Sequence, residues 1–261
     1  MKKPNFLIIG AARSGSTSLV RALSLHSGLY IPKTDAEPKF FSREQEYAKG
    51  IDYYLQKYFS SSDGYAAIGE KSTEYMENLS VAGRIYEFNP EMRLICILRD
   101  PVERAISNYW WSVQNHVEDR PIDEALKHEW KKYLKHPIKK SRLFYSRPHA
   151  YIDRSIYYEN LRPFYELFPG KIKCIIFEEF VKDDRRTVDD VWLFLGLSPQ
   201  DRPYEMTKAL RSVDRKVSLD PKIYQELKSF FLEKNTGLSE LTQRDVWKFW
   251  GSPLGIVRAR E

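Results

Sequence analysis

Short apolar runs closed by glycine, proline or charge alternate along the chain with stretches whose apolar residues return every three or four positions. Phe6 to Ile9 is the first run, and Gly10 ends it. In the following LVRALSLH, Leu19, Ala22, Leu23 and His26 recur at helical spacing. Gly28 to Pro32 predicts a short strand or turn, and Ile51 to Phe59 a helix with an aromatic face. A short strand is expected at Ala66 to Ile68, and a buried one at Arg93 to Leu98, where RLICIL runs without interruption. Pro101 then suits the first turn of a helix through VERAISNYWWSVQNH. Helical patterning returns at 156–168 and breaks at Pro169-Gly170 before a strand over Ile172 to Phe177. Further helices are expected at 188–197, stopped near Gly196, and at 221–232. This alternation predicts an α/β fold with a central parallel sheet flanked by helices. Residues 119–151 are polar and weakly patterned, which predicts an insertion or a flexible substrate-facing region. With no internal repeat and no low-complexity linker, the 261 residues are expected to form a single domain, 1–261.

The order of strand, glycine-bounded loop and helix at Asn5 to Leu19 changes the picture from fold to chemistry. Loop N–H groups and the positive end of a helix dipole converge there, an arrangement that suits an anion. Gly10, Gly15 and Thr17 occupy the two glycine positions and the hydroxyl position of the nucleotide-binding P-loop, but Ser16 stands where that motif has lysine. Serine carries no charge to a γ-phosphate, so the loop reads as P-loop-like and suited to a phosphate-bearing donor without one, with Arg13, Ser14, Ser16 and Thr17 around the anion. A tight turn in which serine and threonine merely cap the helix explains the same residues equally well.

Other polar residues stand at strand ends, where ligands collect in α/β sheets. Glu37 and Lys39 flank Pro38 beside Phe40 and Phe41, either a general base with a cationic neighbour or a loop whose phenylalanines plug the core. Lys71 follows the strand at Ala66 to Ile68 and is either a crevice lysine or a solvated one. Arg99 and Ser107 are candidates for a second phosphate, or for a surface ion pair and an exposed hydroxyl. An apolar strand ending near Asp100 is also similar to a Walker B element, which the absent Walker lysine argues against. Arg215 and Lys216 lie in a loop, either closing over a charged cofactor or forming an exposed basic turn.

Composition narrows the partners. Lys+Arg 42 against Asp+Glu 36 gives a net charge of +6, which suits an anionic ligand, and no long basic tract points to nucleic acid. The basic, aromatic-containing stretch Lys127 to Arg142 reads as a solvated helix and loop in preference to a surface for an acidic polymer. Cys96 and Cys174 each sit in an apolar strand-like run and lack the spacing of a metal site. The apolar run near the N-terminus stops too soon for a secretory segment, and nothing later approaches a membrane span, so a cytoplasmic protein is expected.

Taken together, GAARSGSTSL, EPKFF, GEKSTEY, LRDPVERAISNY, FPGKIKCIIFEEF and FLGL resemble, in order and spacing, the sulfotransferases that use 3′-phosphoadenosine 5′-phosphosulfate (PAPS), especially the heparan sulfate glucosaminyl type. The resemblance implies a single α/β domain that transfers a sulfuryl group from PAPS, without a metal, to a hydroxyl, less readily an amine, of a carbohydrate acceptor. It implies that Arg13, Ser14, Gly15, Ser16 and Thr17 hold the 5′-phosphosulfate, and that Arg99 and Ser107 hold the 3′-phosphate. Glu37 matches the family's general base, Lys71 a lysine that balances charge at the sulfate, and Arg13 a lysine that stabilises the leaving oxygen. Lys39 stands where related enzymes carry histidine, Thr73 where a proline is frequent, and Arg215 and Lys216 near a cofactor-covering loop whose Lys-Gly-Arg run is absent here. The readings set against this are a sulfotransferase for a small molecule or lipid, a kinase-like user of a nucleoside triphosphate, and a silent module binding the product nucleotide, 3′-phosphoadenosine 5′-phosphate (PAP).

Overall fold

The computed structural model of the chain describes residues 3–34, 36–135, 148–201 and 219–251. In chain order the elements are β1 (Phe6–Gly10), α1 (Ser16–Leu23), β2 (Leu29–Tyr30), α2 (Glu44–Tyr47), α3 (Ile51–Phe59), β3 (Ala67–Lys71), α4 (Leu79–Phe88), β4 (Arg93–Leu98), α5 (Pro101–Gln114), α6 (Ile122–Lys135), α7 (Tyr157–Leu167), β5 (Ile172–Ile176), α8 (Phe177–Lys182), α9 (Asp184–Phe194), α10 (Pro221–Lys234), α11 (Leu238–Thr242) and α12 (Trp247–Trp250). By its internal contacts the described chain divides into two compact units. The first holds residues 3–34, 36–98 and 160–201, and the second 99–135, 148–159 and 219–251.

The first unit is built on a five-stranded sheet of order β2-β3-β1-β4-β5 in which every pairing is parallel. Strands of a parallel sheet are covered on both faces, which is why β1 and β4 read as unbroken apolar runs where an exposed strand would alternate. Phe6, Ile8, Ile95, Ile97 and Ile175 from the strands meet Leu19, Ala22 and Leu23 of α1 and Val188, Val191 and Trp192 of α9 in one buried cluster. An aromatic group fills the flank beside α3, where Phe40 stacks on Tyr54 at 4.3 Å and Phe41 meets Tyr54, Tyr75 and Phe88 edge-on or tilted. Glycine is required at 69, because a Cβ there would lie 2.3 Å from the Phe6 carbonyl oxygen of the neighbouring strand.

The second unit is helical. Val102, Ala105 and Tyr109 of α5 pack with Leu126 of α6, Ile156, and Leu227 and Phe231 of α10. Arg104 lies fully buried among them, its guanidinium donating to Ser155 Oγ (2.6 Å), Asn108 Oδ1 (3.1 Å) and the Tyr151 carbonyl (2.7 Å).

The boundaries move in ways that matter for chemistry. β3 runs on through Gly69 and Glu70, so Lys71 is its last residue. α1 begins at Ser16, three residues before the first periodic leucine, because Gly15 supplies the turn with φ 87°. β5 ends at Ile176 and Phe177 opens α8, while α9 starts at Asp184, where the Asp183 carboxylate accepts from the Arg186 N–H. The weakly patterned stretch 119–151, read as an insertion or a flexible substrate-facing region, contains α6, with Asp123 and Glu124 in its first turn, Lys132 and Lys135 in its last, and buried Ile122, Ala125 and Leu126. That charge order complements the helix dipole, and the apolar face is too narrow to stand out in the sequence. Residues 136–147 of the stretch lie outside the described residues. Among the described residues no helix is long and apolar enough to cross a membrane.

Candidate active site

In the sheet order, β1 sits between β3 and β4, so the chain leaves β1 toward one edge and later returns to build the other. Open α/β sheets bind ligands beyond the carboxyl ends of their strands at such a switch point. The loop at that point, residues 11–15, starts with the Ala11 N–H bonded to the Ile97 carbonyl at 2.8 Å. Arg13 takes a left-handed conformation, φ 70°, and is exposed. The Ser14 hydroxyl is buried with no hydrogen-bond partner among the described residues, and no side chain caps α1. A buried hydroxyl left unpaired beside an uncapped helix terminus fits an anion, since both supply donors that protein groups have not taken.

Glu37, Lys71 and Thr17 come together next to this loop. Lys71 Nζ lies 3.1 Å from Glu37 Oε1 and 3.3 Å from Thr17 Oγ1. Thr73 fastens the carboxylate from the other side: its hydroxyl lies 2.9 Å from Oε1 and 3.1 Å from Oε2, and its backbone N–H donates to Oε2 at 3.1 Å. Glu37 and Lys71 border a hollow of about 280 Å³ whose wall includes Val20, Ile31, Pro32 and Arg21. Arg21 is a residue that sequence reasoning missed. Thr73 was met there only as the replacement of a frequent proline, and its role beside Glu37 is defined only when β3 and the EPKFF loop meet.

Lys39 does not pair with Glu37. Its ammonium lies 3.1 Å from Glu74 Oε2, a carboxylate that also accepts from Arg43 Nε (2.7 Å) and Ser42 Oγ (2.6 Å). The pairing expected inside EPKFF is therefore replaced by two separate ones, Glu37 with Lys71 and Lys39 with Glu74, because Lys39 adopts φ 53° and the chain turns there. Phe40 and Phe41 are fully buried, as the core-plugging alternative holds. For Glu74, burial is the largest influence and raises the pKa, but bonds from Arg43 and Ser42 and the charge of Lys39 outweigh it and leave the carboxyl below its ordinary value.

Glu70, fully buried at the penultimate position of β3, accepts from Ser72 Oγ (2.9 Å), the Tyr75 hydroxyl (2.6 Å) and the Tyr54 hydroxyl (3.2 Å). Burial pushes its carboxyl up to about 7 despite those donors, with the charge of Glu37 adding to the rise. The sequence places Glu70 just beyond the short strand expected at Ala66 to Ile68, and only the extension of β3 to Lys71 puts its carboxylate in the sheet.

Arg99 and Ser107 belong to the second unit. The Arg99 guanidinium lies 3.6 Å from Glu103 Oε2, and the Arg99 carbonyl accepts from the Tyr157 hydroxyl. Ser107 is half-buried on α5. Asp100 Oδ1 accepts from the N–H groups of Val102 (2.8 Å) and Glu103 (3.1 Å), so the residue that resembled a Walker B aspartate caps α5. Arg215 and Lys216 lie outside the described residues.

Comparison with known proteins gives these residues a family. The model of the sulfotransferase domain matches residues 3–246. Heparan sulfate glucosamine 3-O-sulfotransferase 5 of Mus musculus is 25% identical over 93% of this chain and 73% of its own length. The bifunctional heparan sulfate N-deacetylase/N-sulfotransferase 3 of Homo sapiens is 30% identical over 79% of this chain, but that match covers 23% of the human protein. A sulfotransferase from Alicyclobacillus acidocaldarius, known from its crystal structure, is similar at TM-score 0.78 and 29% identity, covering 95% of this chain and 99% of that one. With the family model spanning nearly the whole sequence, the chain belongs to the sulfotransferases, enzymes that depend on PAPS.

Proposed function

We propose that this sulfotransferase modifies a hydroxyl of a carbohydrate acceptor, with Glu37 as the general base. The observation that carries the reading is the Glu37 carboxylate, fixed by Thr73 and Lys71 at the wall of an open hollow. PAPS, when bound, supplies an activated sulfuryl group. Arg13, Ser14, Gly15, Ser16 and Thr17 would hold its 5′ end, and Arg99 and Ser107 its 3′-phosphate. Glu37 takes the proton of the acceptor hydroxyl, a task that geometry decides before basicity does. Lys71 keeps positive charge beside both Glu37 and Thr17, where negative charge accumulates during transfer. Arg13 would stabilise the departing oxygen in the same way.

The hollow supports a sugar acceptor. Val20, Ile31 and Pro32 offer an apolar wall for a ring face, Thr17 and Thr34 offer hydroxyls, and Arg21 offers a cation for an acidic group. The names of the heparan sulfate relatives support the same class. Transfer from PAPS to oligosaccharides with and without uronic acid residues tests it, beside a panel of phenols and long-chain alcohols. Turnover on the acidic oligosaccharides that Glu37→Gln lowers by about 10²- to 10⁴-fold is expected. Turnover confined to phenols or alcohols would overturn the carbohydrate reading, and turnover unchanged in Glu37→Gln would remove Glu37 as the base.

A further inference from the structure

Glu70 has no part in the transfer scheme, yet it occupies a costly position. A carboxyl shut away from water costs several kcal/mol unless neighbouring groups hydrogen-bond it. Two of its partners do more than satisfy it. Ser72 Oγ donates to Glu70 Oε2 at 2.9 Å and accepts from the Lys39 backbone N–H at 2.8 Å. The Tyr75 hydroxyl donates to Oε1 at 2.6 Å and accepts from the Phe41 backbone N–H at 3.4 Å. A hydroxyl has a single hydrogen, so donating it to the carboxylate leaves oxygen lone pairs for the amides. One buried carboxyl thus gathers, through two hydroxyl relays, two backbone amides of the loop that begins at Glu37. Between those amides Lys39 is held at φ 53°, a conformation that a non-glycine residue keeps only when its surroundings impose it.

We propose that Glu70 is a positioning residue of the active site: through Ser72 and Tyr75 it fixes the backbone of the Glu37–Phe41 loop and so sets the Glu37 carboxylate against Lys71. The inference rests on the reading of Glu37 as the base. Packing of Phe40 and Phe41 holds the loop near the core, but aromatic contacts do not orient amides, and the relays do. Proton uptake by Glu70 adds a consequence. Among the described residues the titratable groups facing it are Tyr54 from α3, Tyr75 from the turn after β3 and Glu37 from the loop. With Glu70 protonated near neutrality, a carboxyl oxygen becomes a donor and the relays that end on it must be rearranged.

The experiment compares wild type with Glu70→Gln and Ser72→Ala at a series of pH values. It reads kcat, KM for PAPS and PAP affinity, together with amide hydrogen exchange at Lys39 and Phe41. The expected result is a loss in kcat of about 10- to 100-fold, the scale of a small misplacement of a catalytic group, with PAP affinity unchanged. Glu70→Gln also removes an inflection near pH 7 from the kcat profile, and Ser72→Ala speeds exchange at Lys39. Wild-type kcat in both variants, or a lowered kcat whose pH profile keeps its shape in Glu70→Gln, overturns the proposal. So does unchanged protection of the Lys39 amide in Ser72→Ala. If Glu70→Gln fails to fold, the Ser72→Ala arm decides. Failure of the underlying reading is separately visible: Glu37→Gln would then keep its turnover, while the exchange measurement, which needs no acceptor, still reports on Glu70.

Discussion

Two glutamates of the first unit, Glu70 fully buried and Glu74 partly exposed, differ in what faces them. Glu74 is met by Lys39 and Arg43, two cations, whereas Glu70 is hydrogen-bonded by hydroxyls and faces the negative charge of Glu37. Their linkage to stability therefore has opposite sign. Glu74 is held below its ordinary carboxyl value, so its contribution is present above about pH 4.5 and is lost as pH falls through its folded value. Glu70 is raised to about 7, so its contribution is fully present below 4.5 and is lost as pH rises through 7. Thermal unfolding followed from well below pH 4.5 up to about pH 8 should show Glu70→Gln removing a decline in stability between about pH 4.5 and 7, and Glu74→Gln removing a rise that lies below about pH 4.5. The kinetic counterpart is Glu37→Gln, expected to lower kcat by about 10²- to 10⁴-fold, the range of general-base catalysis, with PAP affinity retained in calorimetric titration. At this scale the sequence reveals residue types and hides partners. Lys39 is two positions from Glu37 and Lys71 far along the chain, yet Lys71 makes the pair, because the left-handed turn at Lys39 sends its side chain to Glu74.

Elements were legible where their environment imposes a single period. β1 and β4 are apolar throughout because both faces are covered, and α3 and α5 present an apolar face at helical spacing. α6 was read only in part, as a solvated helix from Lys127, because its buried residues all lie before that point. A different kind of information is absent from the local sequence of α7. Its first amides, at Tyr157 and Tyr158, donate to the Asn235 side-chain oxygen at 2.7 and 3.2 Å. Asn235 Nδ2 in turn donates to the Ser155 and Phe231 carbonyls. A residue from the end of α10 therefore does for α7 what an N-cap serine does for other helices. Removing that oxygen leaves buried amides unpaired, so Asn235→Ala should cost about 2–4 kcal/mol, read as a lowered denaturant midpoint at unchanged slope.

For the molecule as a whole, the parallel sheet was readable because every parallel pairing needs a crossover and the strands alternate with helices, although α4, the crossover between β3 and β4, was not read from the sequence. A nucleotide that binds only the folded chain raises stability by mass action, by about 2.7 kcal/mol at 100 times its Kd. PAP should therefore raise the melting temperature of wild type, while ATP at the same concentration should do so far less. Equal shifts would favour the nucleoside triphosphate reading.

β5 pairs with β4 over five register positions, yet the chain builds much of the second unit between them. Each unit is therefore discontinuous in the gene. A ribosome that has released β4 has made a sheet whose edge still lacks its last strand, and that edge stays bare until residues 172–176 follow. Nascent chains arrested before that point should be caught by chaperones that bind open sheet edges, and no single protease cut or split of the coding sequence can free either unit whole.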